Sequence, residues 1–185
     1  TIFNYGDDTF YAVTLFDSKQ SNLIERKRAP DRVLDFLNLG KLNSSGVELE
    51  LKHSFGSNGE ISSSYSYQRN ETGLGLENET LAPTHSLKLG FVYTFENQLT
   101  LSVFDSYFSN AYDNVINSPN RLKVNPEPSS YHLVTAKLKA QLNNLISANT
   151  KGTISLYGYN LLDEDIYQPE VAGGRINTIP GRAGR

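Results

Sequence analysis

Along most of this chain apolar and polar residues alternate one for one, the period of a strand whose two faces meet different surroundings. From Val47 to Phe55 the set Val47, Leu49, Leu51 and Phe55 interleaves with Glu48, Glu50, Lys52 and Ser54, and only His53 interrupts the apolar face. Between Thr84 and Phe95 the set Leu87, Leu89, Phe91, Tyr93 and Phe95 does the same against Ser86, Lys88, Gly90, Val92 and Thr94. Tyr131–Leu142 sets Val134, Ala136, Leu138, Ala140 and Leu142 against Thr135, Lys137, Lys139 and Gln141. A helix would not hold a period of two over such lengths. Glu60–Asn70 alternates Ile61, Ser63, Tyr65 and Tyr67 with Ser62, Ser64, Ser66 and Gln68, and Lys151–Asn160 is a shorter run of strand formers. Thr9–Glu25 and Gln98–Asn114 bring the total to about seven strands. These two put Asp17 and Asp105 in phase with Leu15 and Val103. Either a bulge resets the phase or the strands run on past an apolar band.

The connections fall into two classes. Asn4–Asp8, Gly56–Gly59 and Glu96–Asn97 are tight Gly/Asn/Asp turns, and Asn143–Thr150 is a somewhat longer one. They alternate with long polar loops at Arg26–Gly40, Asn70–Pro83 and Asn110–Ser130. A soluble sandwich has no reason to sort its loops by end, whereas outer-membrane barrels have short turns on one side and long loops on the other. Tyr5, Phe10, Tyr11, Phe55, Tyr93 and Phe95 flank the short turns, and Tyr67, Tyr107, Phe108, Tyr112 and Tyr131 flank the long loops, as two interfacial girdles would. Rows such as Glu48, Glu50, Lys52 and Lys137, Lys139, Gln141 call for water on the other face.

Composition narrows the classes further. Charged residues make up 20% of 185 and hydrophobic ones 38%, with 11 Tyr, 9 Phe and no Trp, which suits strands better than a disordered chain or a helical membrane protein. A net charge of -3 leaves no basic field for nucleic acid, so no nucleic-acid partner is expected. Without cysteine there is no disulfide framework and no thiolate metal site. No run of 18 apolar residues marks a membrane-spanning helix, but an alternating strand crosses a membrane at low mean hydropathy. The first residue is Thr and no Met occurs, so the sequence reads as an excised segment.

The stretch Tyr157–Arg185, YGYNLLDEDIYQPEVAGGRINTIPGRAGR, resembles the end of TonB-dependent receptors. The resemblance lies in NLLDEDIY at Asn160–Tyr167, PGR at Pro180–Arg182, and SSGVELEL at Ser44–Leu51 with its serine-rich companion strand. It implies an all-β fold, an antiparallel up-and-down meander that is part of a 22-stranded transmembrane barrel. Residues 1–185 would be the C-terminal segment of that barrel, roughly its last third. A further strand ending in an aromatic normally follows PGR, and a plug domain normally precedes the barrel. The implied partners are outer-membrane lipid, the plug of the same receptor, the TonB complex acting through the N-terminal region, and a small-molecule ligand, above all a metal chelate. The implied location is the outer membrane of a Gram-negative bacterium, and the implied function is energy-coupled nutrient uptake. Siderophore-iron is the commonest cargo, with haem, cobalamin and carbohydrate as others.

Catalytic and metal chemistry find little support. His53, His85 and His132 stand on separate strands without metal-ligand spacing. Ser130 and His132 lack an elbow and a third member, so no enzyme is expected. Asp163, Glu164 and Asp165 read as a solvated strand end because no calcium-loop pattern surrounds them. No cofactor is implied. Recognition by the long loops remains, with Tyr107, Tyr112, Asn114, Arg121, Lys123 and Tyr131 as candidates to stack on and hydrogen-bond a polar or chelated ligand. Two rivals stay open. A small eight-stranded barrel acting as anchor or adhesin would show a closed ladder, and a soluble β-sheet binding module would show a second layer over the apolar rows.

Overall fold

The computed structural model describes residues 2–5, 8–28, 34–72, 82–96, 98–111, 128–142, 152–167 and 178–179. Strands β1 (Ile2–Tyr5), β2 (Thr9–Arg28), β3 (Leu34–Phe55), β4 (Gly59–Thr72), β5 (His85–Thr94), β6 (Leu99–Phe108), β7 (Tyr131–Gln141) and β8 (Thr153–Gly158) form one sheet in chain order. Each neighbouring pair is antiparallel. Every strand read from the alternation is present, and the short β1 precedes them by pairing with the start of β2. A separate pair, β9 (Ile166–Tyr167) with β10 (Thr178–Ile179), follows. Among the described residues no pairing joins β8 to β1, so the ladder is open where an eight-stranded barrel would close it.

The pairing register puts the apolar sets on one face. One row runs Val13, Leu49, Tyr65, Leu87, Tyr107, His132 across β2 to β7, and the row below runs Tyr11, Leu51, Ser63, Leu89, Asp105, Val134. Nothing covers this face among the described residues: Leu15 is 78% exposed, Leu89 44% and Leu156 72%, and Ile166 is the one buried hydrophobic. A soluble sheet leaving such rows in water would forgo about 25 cal/mol for every Å² of apolar surface left wet. The other face carries Glu48, Glu50, Lys52, Lys88, Lys137, Lys139 and a belt of serines. That face holds a hollow of about 440 Å³ lined by Phe10, Glu50, Lys52, Ser64, Lys88 and Phe104 among others, so the sheet is concave on its polar side. Polar inside and apolar outside inverts the order of a water-soluble protein and suits a wall between lipid and a hydrated lumen.

Two features of the strands differ from the sequence reading. The loop expected at Arg26–Gly40 is mostly strand, because Arg28 pairs with Leu34, Lys27 with Asp35 and Leu23 with Gly40. The stretch keeps no period of two in its sequence, so its strand character could not be read from alternation. Asp17 is settled in the same way. The register from Thr9 to Ser21 is unbroken, and the bulge at Ser21–Leu23, where Asn22 takes φ 59°, comes only after Asp17, so β2 runs past the apolar band. Asp105 sits in an equally unbroken register in the interior of β6.

The short turns follow local chemistry. Gly56 takes φ 57° and the Asn58 N–H donates to Phe55 O at 3.4 Å. The β5–β6 turn closes with Gln98 at φ 62°, its N–H donating to Phe95 O at 3.0 Å. Gly90 meets a different demand, close approach. A Cβ there would stand 2.5 Å from Ser62 Oγ and 3.0 Å from the Phe104 ring, which lies across the glycine from the next strand.

Candidate functional site

The sheet offers a concave polar wall, a rim where the long connections leave, and an outer apolar wall. On the concave wall Lys52 Nζ meets Glu60 Oε2 at 2.9 Å, both half-exposed. Among the described residues Glu48, Glu50, Lys88, Lys137 and Lys139 have no ion-pair partner. Glu50 and Lys88 bracket Ser64 in one pairing row, so an anionic and a cationic position lie two strands apart, about 10 Å, over a serine floor. Such a wall suits a polar occupant that carries both charges.

The rim is where sequence-predicted residues can be placed. Tyr107 and Tyr131 are described; Tyr112, Asn114, Arg121 and Lys123 lie outside the described residues. Tyr107 stands on the apolar face with its ring 4.9 Å from that of His132. Tyr131 pairs with Phe108 on the opposite, concave face, ring centroids 5.4 Å apart. The two tyrosines therefore look in opposite directions: Tyr131 toward the lumen mouth and Tyr107 toward the outer surroundings.

The histidines, single in the sequence, each acquire a partner from the neighbouring strand. His53 Nδ1 lies 2.8 Å from Thr9 Oγ1, His85 Nδ1 2.8 Å from Tyr65 Oη, and His132 Nδ1 2.8 Å from Asp105 Oδ2. Sequence reasoning missed these pairs because Asp105 and His132 are 27 residues apart and meet only through register. The available signal was the misfit of Asp105 itself, an acid inside an apolar row. Among the described residues no three His, Asp or Glu side chains gather as a metal site would need.

The NLLDEDIY segment is a built elbow. Asn160 is fully buried, with φ 49°; its Nδ2 donates to Glu164 O at 2.9 Å and its Oδ1 accepts from Glu164 N at 3.1 Å. Leu161 N–H donates to Val134 O at 2.9 Å, tying the elbow to β7. Beyond it, buried Ile166 pairs with Ile179, just ahead of PGR.

Comparison with known proteins agrees with this architecture. No curated protein sequence matches the chain. Solved structures do. A Pseudomonas aeruginosa FpvA structure bound to heterologous pyoverdines aligns with TM-score 0.76 at 17% identity, over 95% of this chain and 24% of that one. The ferric yersiniabactin uptake receptor FyuA from Yersinia pestis gives 0.70 at 16%, over 98% and 27%. The siderophore receptor PiuA from Acinetobacter baumannii gives 0.69 at 18%, over 97% and 25%. The chain thus spans about a quarter of the length of the receptors it matches, and at these identities the likeness establishes the fold. The family model described as TonB dependent receptor-like, beta-barrel, matches residues 3–161, most of the chain. Barrels of that family are outer-membrane proteins of Gram-negative bacteria and act as transporters rather than enzymes. With its open antiparallel meander, its apolar outer wall and that match, the chain belongs to the TonB-dependent receptor β-barrel family.

Proposed function

We propose that residues 1–185 are the C-terminal segment of the barrel of an outer-membrane receptor for energy-coupled uptake of a metal chelate, siderophore-iron before haem, cobalamin or carbohydrate. The inside-out sheet carries the reading: its outer rows suit lipid, and its concave wall, with Glu50 and Lys88 lacking an ion-pair partner among the described residues, suits the plug of the same receptor. Energy would come from the TonB complex through the N-terminal region. The relatives support the choice of cargo, since the three compared structures are named for pyoverdine, yersiniabactin and siderophore recognition.

The ligand would be met at the rim by Tyr107, Tyr112, Asn114, Arg121, Lys123 and Tyr131. Tyr131 supports the lumen side of this set, since its ring packs at a tilt against Phe108 on the concave face at the β6–β7 end from which the longest connection leaves. Arg121 and Lys123 would supply charge to an anionic chelate, which a neutral sugar needs less. Replacing both by Ala in the full-length receptor is expected to weaken ferric-siderophore binding by about 1–3 kcal/mol and leave the unfolding midpoint unchanged. Unaltered binding and uptake across candidate chelates would remove the anionic-chelate assignment while leaving the barrel untouched.

A further inference from the structure

The outer wall carries a polar intrusion that nutrient uptake does not use. Asp105 stands in the apolar set Leu101, Val103, Tyr107, opposite Leu89 and Val134. A lone carboxylate facing lipid costs at least a few kcal/mol. Here Oδ2 is held by His132 Nδ1 at 2.8 Å, with 24% of the Asp105 side chain and 46% of His132 exposed. Asp105 Oδ1 is buried and has no hydrogen-bond partner among the described residues, so the carboxylate itself is closed to visitors.

What the surface presents outward is imidazole nitrogens. With Nδ1–H donated to Asp105, the outer nitrogen of His132 is Nε2, beside the Tyr107 ring. His85 repeats the arrangement one row further along. Its Nδ1 shares a hydrogen bond of 2.8 Å with the Tyr65 hydroxyl, and its ring lies 5.1 Å from that of Tyr67. Neither Nε2 has a protein partner among the described residues.

Depth places this pair of sites. Strands tilted by roughly 40° lift a pairing row about 3 Å per strand and each residue about 2.5 Å. From β3 to β7 a row therefore climbs about 12 Å, nearly five residues. His132 lies in the row of Leu49 and so reaches the level of Ser44 on β3, next to Ser45, the β3 partner of Asp17. His132 thus stands near the margin of the band on the long-loop side, where outer-leaflet headgroups begin, with Asp17 about 5 Å and Asp105 about 8 Å below it.

We propose that His132, oriented by Asp105 and flanked by Tyr107 and His85, is a docking point on the outer wall for the phosphate of an outer-leaflet glycolipid. With Nδ1–H held by Asp105, the ring has an outward Nε2–H only as the imidazolium, which calls for an anionic acceptor, and at this depth lipid phosphate is the anionic one. When the imidazole carries both protons, Asp105 balances it on one side and the phosphate on the other, a carboxylate–imidazolium–phosphate chain. An ammonium headgroup fits that state poorly, because it would meet the like charge of the imidazolium and the acidic oxygen that would attract it is buried. The inference rests on the membrane-barrel reading but not on the choice of cargo.

The test uses the full-length receptor in nanodiscs, with native mass spectrometry counting lipid A and chemically dephosphorylated lipid A retained after washing. Wild type is expected to prefer the phosphorylated form. His132→Gln, which stays polar but cannot carry the charge, should lose that preference by roughly tenfold, and Asp105→Asn should lose part of it. His53→Gln, at the other rim, should lose none. Equal retention of phosphorylated lipid by wild type and His132→Gln, with only the unfolding midpoint lowered, would overturn the proposal and leave the pair as a lock on β6–β7 register. Equal retention of both lipids by wild type would overturn it as well. Failure of the membrane reading looks different: wild type would then stay monodisperse without detergent and retain neither lipid.

Discussion

Leu89→Arg tests the inside-out sheet most directly. Leu89 lies midway along the outer face of β5, four residues from His85 and four from Tyr93, and is 44% exposed with only Ser63 and Asp105 directly opposite it. At about 3.3 Å per residue and a tilt of roughly 40°, four residues put it about 10 Å from each aromatic margin, close to the middle of a band about 25 Å tall. Arginine at that depth on a barrel's lipid face costs about 2–4 kcal/mol. In the folding equilibrium this is a factor of roughly 30 to 800. Ser66→Arg is the matched control. Ser66 sits on the concave face opposite Glu48 and Ser86, where a cation meets water and an acid, so the change is expected within about 0.5 kcal/mol. Urea titration of the full-length receptor refolding into lipid vesicles, followed by heat-modifiable gel mobility, measures both. An unchanged or raised midpoint for Leu89→Arg would refute the lipid-facing assignment, because on a water-facing sheet the same change is neutral or favourable. A large loss for Ser66→Arg with none for Leu89→Arg would mean the faces are reversed.

Gly90→Val should cost about 1–3 kcal/mol, because the new side chain meets Ser62 Oγ and the Phe104 ring, and Phe104→Ala in the same background should restore part of the unfolding midpoint. Asn160→Ala, which removes both bonds to the Glu164 backbone from a fully buried position, should lower thermal stability in detergent by about 1–3 kcal/mol; no change would deny the elbow its role. Spin labels at Leu138 and Lys137, adjacent residues on opposite faces, should report oxygen and a water-soluble nickel complex respectively as their better quencher, and equal access of the nickel complex to both would contradict a lipid face on β7.

Much of the fold was legible because a strand between lipid and water must alternate, and alternation survives in sequence without any knowledge of neighbours. The sets Leu87 to Phe95 and Val134 to Leu142 named their own faces, and the sorting of short and long connections named the two ends. The elbow at Asn160–Tyr167 was visible as a motif, though not as the buried side chain that clamps Glu164. The extension of β2 and β3 from Ser21 to Arg28 and Leu34 to Lys41 was invisible, since its residues carry no period of two and only the pairing between the two strands reveals it. Partnership was invisible too. Whether Asp105 breaks a strand, ends one or finds a hydrogen-bond partner depends on which residues of β7 stand near it, and register is a property of pairs of strands. The same holds for Tyr107 and Tyr131, which share a rim in sequence but take opposite faces once Phe108 is set against Tyr131. Alternation along one strand is a local consequence of its surroundings, so the sequence alone determined the inside-out sheet. The partner across the strand comes from hydrogen bonds between segments far apart in the chain, and only the tertiary structure decided it.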